Sequence, residues 1–113
     1  KELFVSISHS GNFVSAAVSD TDIGVDIEVK REVKEEFLRR VLKEDELTFL
    51  NESENRELAF LKIWTAKEAY LKLTGQGLAA LYKAEVLPVI KGEKFGYECV
   101  VSEPYVLTVI YKI

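Results

Sequence analysis

The chain has no methionine, one cysteine, one histidine and two prolines in 113 residues, and each scarcity removes a class of protein. A single thiol, Cys99, excludes an intramolecular disulfide and cannot build a zinc cluster, which fits a reducing cytoplasm. Fifteen basic residues stand against nineteen acids, a net charge of -4, so the basic surface expected of a nucleic-acid binder is missing. No apolar run nears the roughly 18 residues of a membrane span, and no signal-peptide pattern occurs. The chain also lacks a glycine-rich P-loop, which argues against an ordinary nucleoside triphosphatase. The missing methionine, with a strand-like pattern that begins at Leu3-Phe4-Val5, leads us to expect that Lys1 is not the native start. On that reading the chain is trimmed, or is the C-terminal part of something longer.

What is present suffices for one domain. At 48% hydrophobic, residues 1–113 can bury a core of their own but are too short for two. Strand patterns cover 3–8, running into a His-Ser-Gly loop, then 13–18 and 23–29. The turn Ser19-Asp20-Thr21-Asp22 predicts a hairpin between the second and third strands. Helical spacing runs from Lys34 to Asn51 with a possible break near Lys43, and again from Arg56 to Thr74, where Gly75 is a suitable C-cap. Three further strands are predicted at 84–90, 95–101 and 105–111. The order predicts an α+β fold, an antiparallel β-sheet with two helices packed on it.

Within this frame the informative segment is an acidic strand, Gly24-Val25-Asp26-Ile27-Glu28. Alternation puts Ile23, Val25, Ile27 and Val29 on one face and Gly24, Asp26 and Glu28 on the other. A solvated strand face is the plain reading of such an acid pair. The Ile/Val-rich strand points instead to an interior position, and Gly24 leaves room there for a ligand to approach closely. Two such carboxylates repel unless a cation or proton lies between them. Forty residues on, the helix Trp64-Thr65-Ala66-Lys67-Glu68-Ala69-Tyr70-Leu71-Lys72 adds Glu68, with Lys72 one turn further. Glu preceding Lys by four residues is also a favourable helical ion pair. Yet Leu61, Trp64, Glu68 and Leu71 follow a 3-4-3 spacing that puts the carboxylate in the apolar seam, where a metal would remove the cost of burial. Three acids and a lysine suit Mg2+ holding a phosphate ester.

The two motifs, G-V-D-I-E and W-T-A-K-E-A-Y-L-K, resemble the signature pair of the 4'-phosphopantetheinyl transferase superfamily. Upstream, Ser6-Ile7-Ser8-His9-Ser10-Gly11 resembles the S-H-S-G segment of its Sfp-like branch. The resemblance runs from about residue 6 to residue 78, in order and at plausible spacing. It implies transfer of 4'-phosphopantetheine from coenzyme A to a serine of an acyl or peptidyl carrier protein. Asp26, Glu28 and Glu68 would hold Mg2+, with Lys72 on the transferred phosphate. His9 and Ser10 would contact a coenzyme A phosphate. Lys67 is either a coenzyme-phosphate contact or a surface lysine, and Trp64 reads as core packing. Glu46 falls where Sfp-like members carry a glutamate proposed to assist deprotonation, and equally reads as a solvated acid in a charged helix. A metal-bound water is the other candidate base.

One departure from the family pattern concerns length. Sfp-like enzymes are about twice as long, with two similar halves, whereas the short holo-acyl-carrier-protein synthase type builds its cleft between subunits. The expectation is therefore a homo-oligomer, dimer or trimer, or a chain whose N-terminal half is missing. The rival class is a non-catalytic or incomplete half-domain that binds a carrier protein or coenzyme A. Lys30-Arg31, Lys34 and Arg39-Arg40 would supply a basic patch for an acidic carrier.

Overall fold

The computed structural model of the chain describes residues 2–113. Strands β1 (Phe4–Ser10) and β2 (Phe13–Ser19) pair as an antiparallel hairpin across Gly11-Asn12. Strand β3 (Ile23–Val29) belongs to a second antiparallel sheet of order β3-β5-β4, with β4 at Gly96–Val101 and β5 at Tyr105–Tyr111. Between β3 and β4 run helices α1 (Glu35–Val41), α2 (Glu44–Asn51) and α3 (Arg56–Thr74), a 3-10 turn at Leu78–Ala80, and the short α4 (Leu87–Ile90). The α+β class read from the sequence is what the chain adopts.

Three elements differ from the sequence reading. The predicted hairpin between the second and third strands is absent, because β2 pairs with β1 and β3 pairs with β5. The turn that was to close it is tied elsewhere: Thr21 Oγ1 donates to the carbonyl of Lys112 at 2.9 Å, and Lys112 N–H donates to the carbonyl of Asp22 at 2.9 Å. Those bonds deliver β3 to the end of β5. Secondly, residues 84–90 are not a strand. Pro88 has no N–H to give a ladder, but it fits the first turn of a helix, where that N–H would go unused. Val86 and Val89 are then buried in the core. Thirdly, the helical stretch of 34–51 is two helices, with the break at Leu42-Lys43, near the position expected.

Helix α3 organises the rest. Its start is capped by the Asn55 side chain, which accepts from Leu58 N–H at 3.0 Å, and its end by Gly75 at φ 76°. One face carries Ile63, Ala66 and Ala69 into a core completed by Leu38, Leu42, Leu50, Phe60, Val106 and Ile110. Register places Gly24 opposite Ile110, Asp26 opposite Thr108 and Glu28 opposite Val106, so these six share the sheet face that meets α3. A 2.7 Å hydrogen bond between the Thr65 and Thr108 hydroxyls spans that contact. The space beside Gly24 is taken by the helix rather than left for a ligand. A Cβ at position 24 would lie 1.9 Å from the Ala69 carbonyl oxygen. The absent side chain is what lets α3 lie against β3.

Strand β1 runs beside β3 without a main-chain ladder between them. Serine hydroxyls take its place. Ser6, Ser8 and Ser10, all on one face of β1, accept from the N–H groups of Val25, Ile27 and Val29 at 3.0, 3.1 and 3.0 Å. The opposite face of the hairpin is left outside. Val5, Ile7, Val14 and Val18 are 60–75% exposed there, an apolar surface with no cover.

Candidate active site

Asp26 is the centre of the acidic face. It is 3% exposed, and its Oδ1 accepts from the Ser8 hydroxyl at 2.9 Å, while Oδ2 is buried with no hydrogen-bond partner. Burial, then the neighbouring Glu28 charge, pushes its carboxyl up to about 7, and Glu68 adds in the same direction. Ser8 and Lys72 oppose the rise. Glu68 lies half-buried on α3, with its carboxyl raised by burial, lowered by Lys72 and raised again by Glu28. Glu28 itself accepts from Trp64 Nε1 at 3.2 Å and, at a longer 3.4 Å, from the Ser10 hydroxyl. Trp64 therefore has a polar task as well as its ring contacts with Phe37 and Phe60.

Lys72 closes the group. Its Nζ donates to the carbonyls of Ile7 at 3.2 Å and Val25 at 2.9 Å, and stands 3.6 Å from Asp26 Oδ1. Two of its three donors are thus spent bracing β1 against β3. The third lies beside the carboxylates, and a third of the side chain remains open to solvent.

The other residues singled out from the sequence lie apart from this group. His9 is in β1 rather than in a loop. It is exposed on the outer face of the hairpin, opposite Val14 and turned away from the face that Ser8 and Ser10 present to β3. Ser10 also belongs to the strand, and its hydroxyl is committed to Val29 and Glu28. Lys67 is neither a surface lysine nor open to a phosphate. It is fully buried, bonded to the carbonyls of Leu81, Tyr82 and Ala84 at 3.0–3.1 Å and paired with Glu46 at 3.0 Å. Four acceptors for three N–H groups leave none for a coenzyme. Glu46, in turn, is not solvated. It is 1% exposed, pairs with Lys67 and accepts from Lys43 N–H at 2.8 Å at the start of α2. Burial lowers the lysine and raises the glutamate, each opposed by the other's charge. Neighbours in a helix point about 100° apart, so Lys67 and Glu46 lie to one side of α3 and Glu68 to another.

The donor set suits a hard divalent cation, which prefers oxygen ligands. Asp26 Oδ2 is the specific observation, since a buried carboxylate oxygen without a partner is costly unless a cation takes it up. Among the described residues, no three His, Cys, Asp or Glu side chains are yet gathered closely enough to hold one. Glu28 is held by the Trp64 indole and the Ser10 hydroxyl. Ser6 and Ser8 were not singled out from the sequence, although a serine at every second position beside an apolar alternation was the available signal.

Comparison with known proteins bears on the same residues. The family profile described as the 4'-phosphopantetheinyl transferase superfamily matches residues 22–102, from just before β3 to just past β4. The chain belongs to that superfamily. A 4'-phosphopantetheinyl transferase of Bacillus pumilus is 37% identical over 76 residues, 66% of this chain and 33% of that protein. HetI, a 4'-phosphopantetheinyl transferase of Nostoc sp., is 38% identical over 89 residues, covering 74% of this chain and 38% of its own length. Sfp of Bacillus subtilis, another such transferase, is 33% identical over 76 residues, 66% of this chain and 34% of the enzyme. The matches span only a third or slightly more of each relative's length. No helix among the described residues is long and apolar enough to cross a membrane.

Proposed function

We propose that this chain carries the acid centre of a Mg2+-dependent 4'-phosphopantetheinyl transferase, one that moves 4'-phosphopantetheine from coenzyme A to a carrier-protein serine. The observation that carries the reading is Asp26, buried with an unpartnered Oδ2 between Glu28 on its own strand and Glu68 on α3. Membership of the superfamily supplies the reaction. Asp26, Glu28 and Glu68 would hold the ion. Mg2+ supplies charge neutralisation at the coenzyme diphosphate and a template for in-line attack. Lys72, held by two carbonyls and 3.6 Å from Asp26 Oδ1, would offer its remaining N–H to a phosphate oxygen and steady the charge that builds there. Glu46 has no part in proton transfer in this reading, because its carboxylate is tied to Lys67.

A cytoplasmic setting and an acyl or peptidyl carrier as acceptor belong to the same proposal. So does assembly, as a homo-oligomer or with a further half, over the apolar outer face of the β1–β2 hairpin; its four valine and isoleucine side chains are 60–75% exposed. The test is intact mass spectrometry of apo-carrier proteins incubated with the chain, coenzyme A and Mg2+. The expected result is a gain of one phosphopantetheine, lost in Glu68→Ala. No gain on any carrier, from a folded chain that binds coenzyme A, favours the alternative of an incomplete half-domain.

A further inference from the structure

The serines of β1 form a regular device. Each of Ser6, Ser8 and Ser10 accepts a β3 N–H, at Val25, Ile27 and Val29 respectively. A hydroxyl has a single hydrogen, so once its oxygen is fixed by that N–H its one donor is aimed within a narrow range. In Ser8 the donor goes to Oδ1 of Asp26, the residue just before the N–H that Ser8 accepts, at 2.9 Å in a buried setting. Ser10 repeats the pattern on Glu28 at 3.4 Å, a weaker contact. At Ser6 the corresponding residue is Gly24, which has no carboxylate to receive it. The same hydroxyl thus performs one task at position 6 and two at position 8.

We propose that Ser8 is a positioning residue for the acid centre: its hydroxyl engages Asp26 Oδ1 and so holds Oδ2 as the oxygen available to a divalent cation. This rests on the acid-centre reading above. Hydrogen-bonded partners of metal-ligating carboxylates act in this way, fixing which oxygen and which orientation the ion meets. The hydroxyl favours the ionised carboxylate, and the three serine bonds to β3 tie β1 alongside it, so the orientation is set before any ion arrives. Lys72 braces the same pair of strands from the carbonyls of Ile7 and Val25.

Glycine at position 24 supplies an internal control. Ser6→Ala and Ser8→Ala each remove one hydroxyl bonded to a β3 N–H, but only Ser8→Ala releases a carboxylate. The experiment measures Mn2+ binding to the full chain by calorimetry without coenzyme A, alongside urea unfolding of the same samples. The expected result is a lower urea midpoint in both variants, more so in Ser8→Ala, which also leaves Asp26 Oδ1 unbonded, with Mn2+ affinity lowered about tenfold or more in Ser8→Ala alone. Ser8→Thr, which keeps a hydroxyl, should restore most of the affinity. Should Ser8→Ala fail to fold, Ser8→Cys fills the same space with a weak donor and is expected to bind Mn2+ less tightly than Ser8→Thr. Equal Mn2+ affinity in Ser6→Ala and Ser8→Ala, or in the Cys and Thr variants, overturns the positioning role and leaves the acid centre standing. A wild-type chain that binds no Mn2+ overturns both.

Discussion

At the scale of single residues, the metal-binding role proposed for Asp26 runs against stability. Its carboxyl ionises near 7 in the folded chain against 3.8 when free, chiefly through burial. Below about 3.8 both forms are protonated, and the folded state keeps the full benefit. Between that value and 7 the folded chain holds a proton that the unfolded chain has released, so stability falls as pH rises and levels off above 7. Asp26→Asn cannot ionise. In chelator, its free energy of unfolding in urea should match wild type near pH 4 and exceed it at pH 8, by about a few kcal/mol for a shift of that size. Added Mn2+ should raise the wild-type midpoint and leave the Asn variant unchanged, because only a ligand that binds the folded form stabilises it. A wild-type stability flat from pH 4 to 8 would contradict the buried, uncompensated carboxylate.

At the scale of elements, the site exists because α3 lies directly on β3. Gly24 is the position that permits it. The atoms a Cβ would meet are the Ala69 carbonyl carbon and oxygen and the Leu73 nitrogen, all main chain, so no side chain can rotate out of the way. Gly24→Ala should therefore push the helix off the strand and cost about 3 kcal/mol or more by urea unfolding, at the upper end of overpacking effects. It should also weaken Mn2+ binding, since Glu68 moves with the helix. Gly75 offers the contrast. At φ 76°, with nothing within 4 Å of a Cβ, its replacement by alanine should cost only the left-handed strain, about 1–2 kcal/mol.

At the scale of the whole molecule, the buried pair of Lys67 and Glu46 ties together α2, α3 and the segment at 81–84 that leads into α4. Such a pair contributes little net stability when intact but is costly to break on one side. Lys67→Met leaves a buried carboxylate and three carbonyls without their donor, and should destabilise by about 3–5 kcal/mol. Adding Glu46→Gln to that variant should recover part of the loss, so the double-mutant cycle reads as strongly non-additive. Additive losses would mean that the two side chains do not share one network. Light scattering addresses the other feature at this scale, the uncovered hairpin face, where a monomeric mass would count against self-assembly.

The alternation of Ile23 to Val29, the helical spacing from Arg56 to Thr74 and the glycine after it were legible because period and capping are local properties of the chain. So was the acid pair, since two residues on a strand must share a face. Local pattern was therefore enough for the α+β class, the bounds of α3 and β5, the family, and the residue types of the proposed acid centre. Pairing was not local. Only the tertiary structure sent β3 to β5, turned 84–90 into a helix around Pro88, and filled the space at Gly24 with helix backbone. It also decided which charged side chains are free to act. Lys67 and Glu68 are adjacent in sequence, but 100° of helix rotation carries one into a buried ion pair and the other to Asp26. Ser8 and Ser6 are alike in the sequence, and only the strand laid beside them gives the first a carboxylate to hold. Burial and partnership depend on what packs opposite, which no single stretch of chain contains.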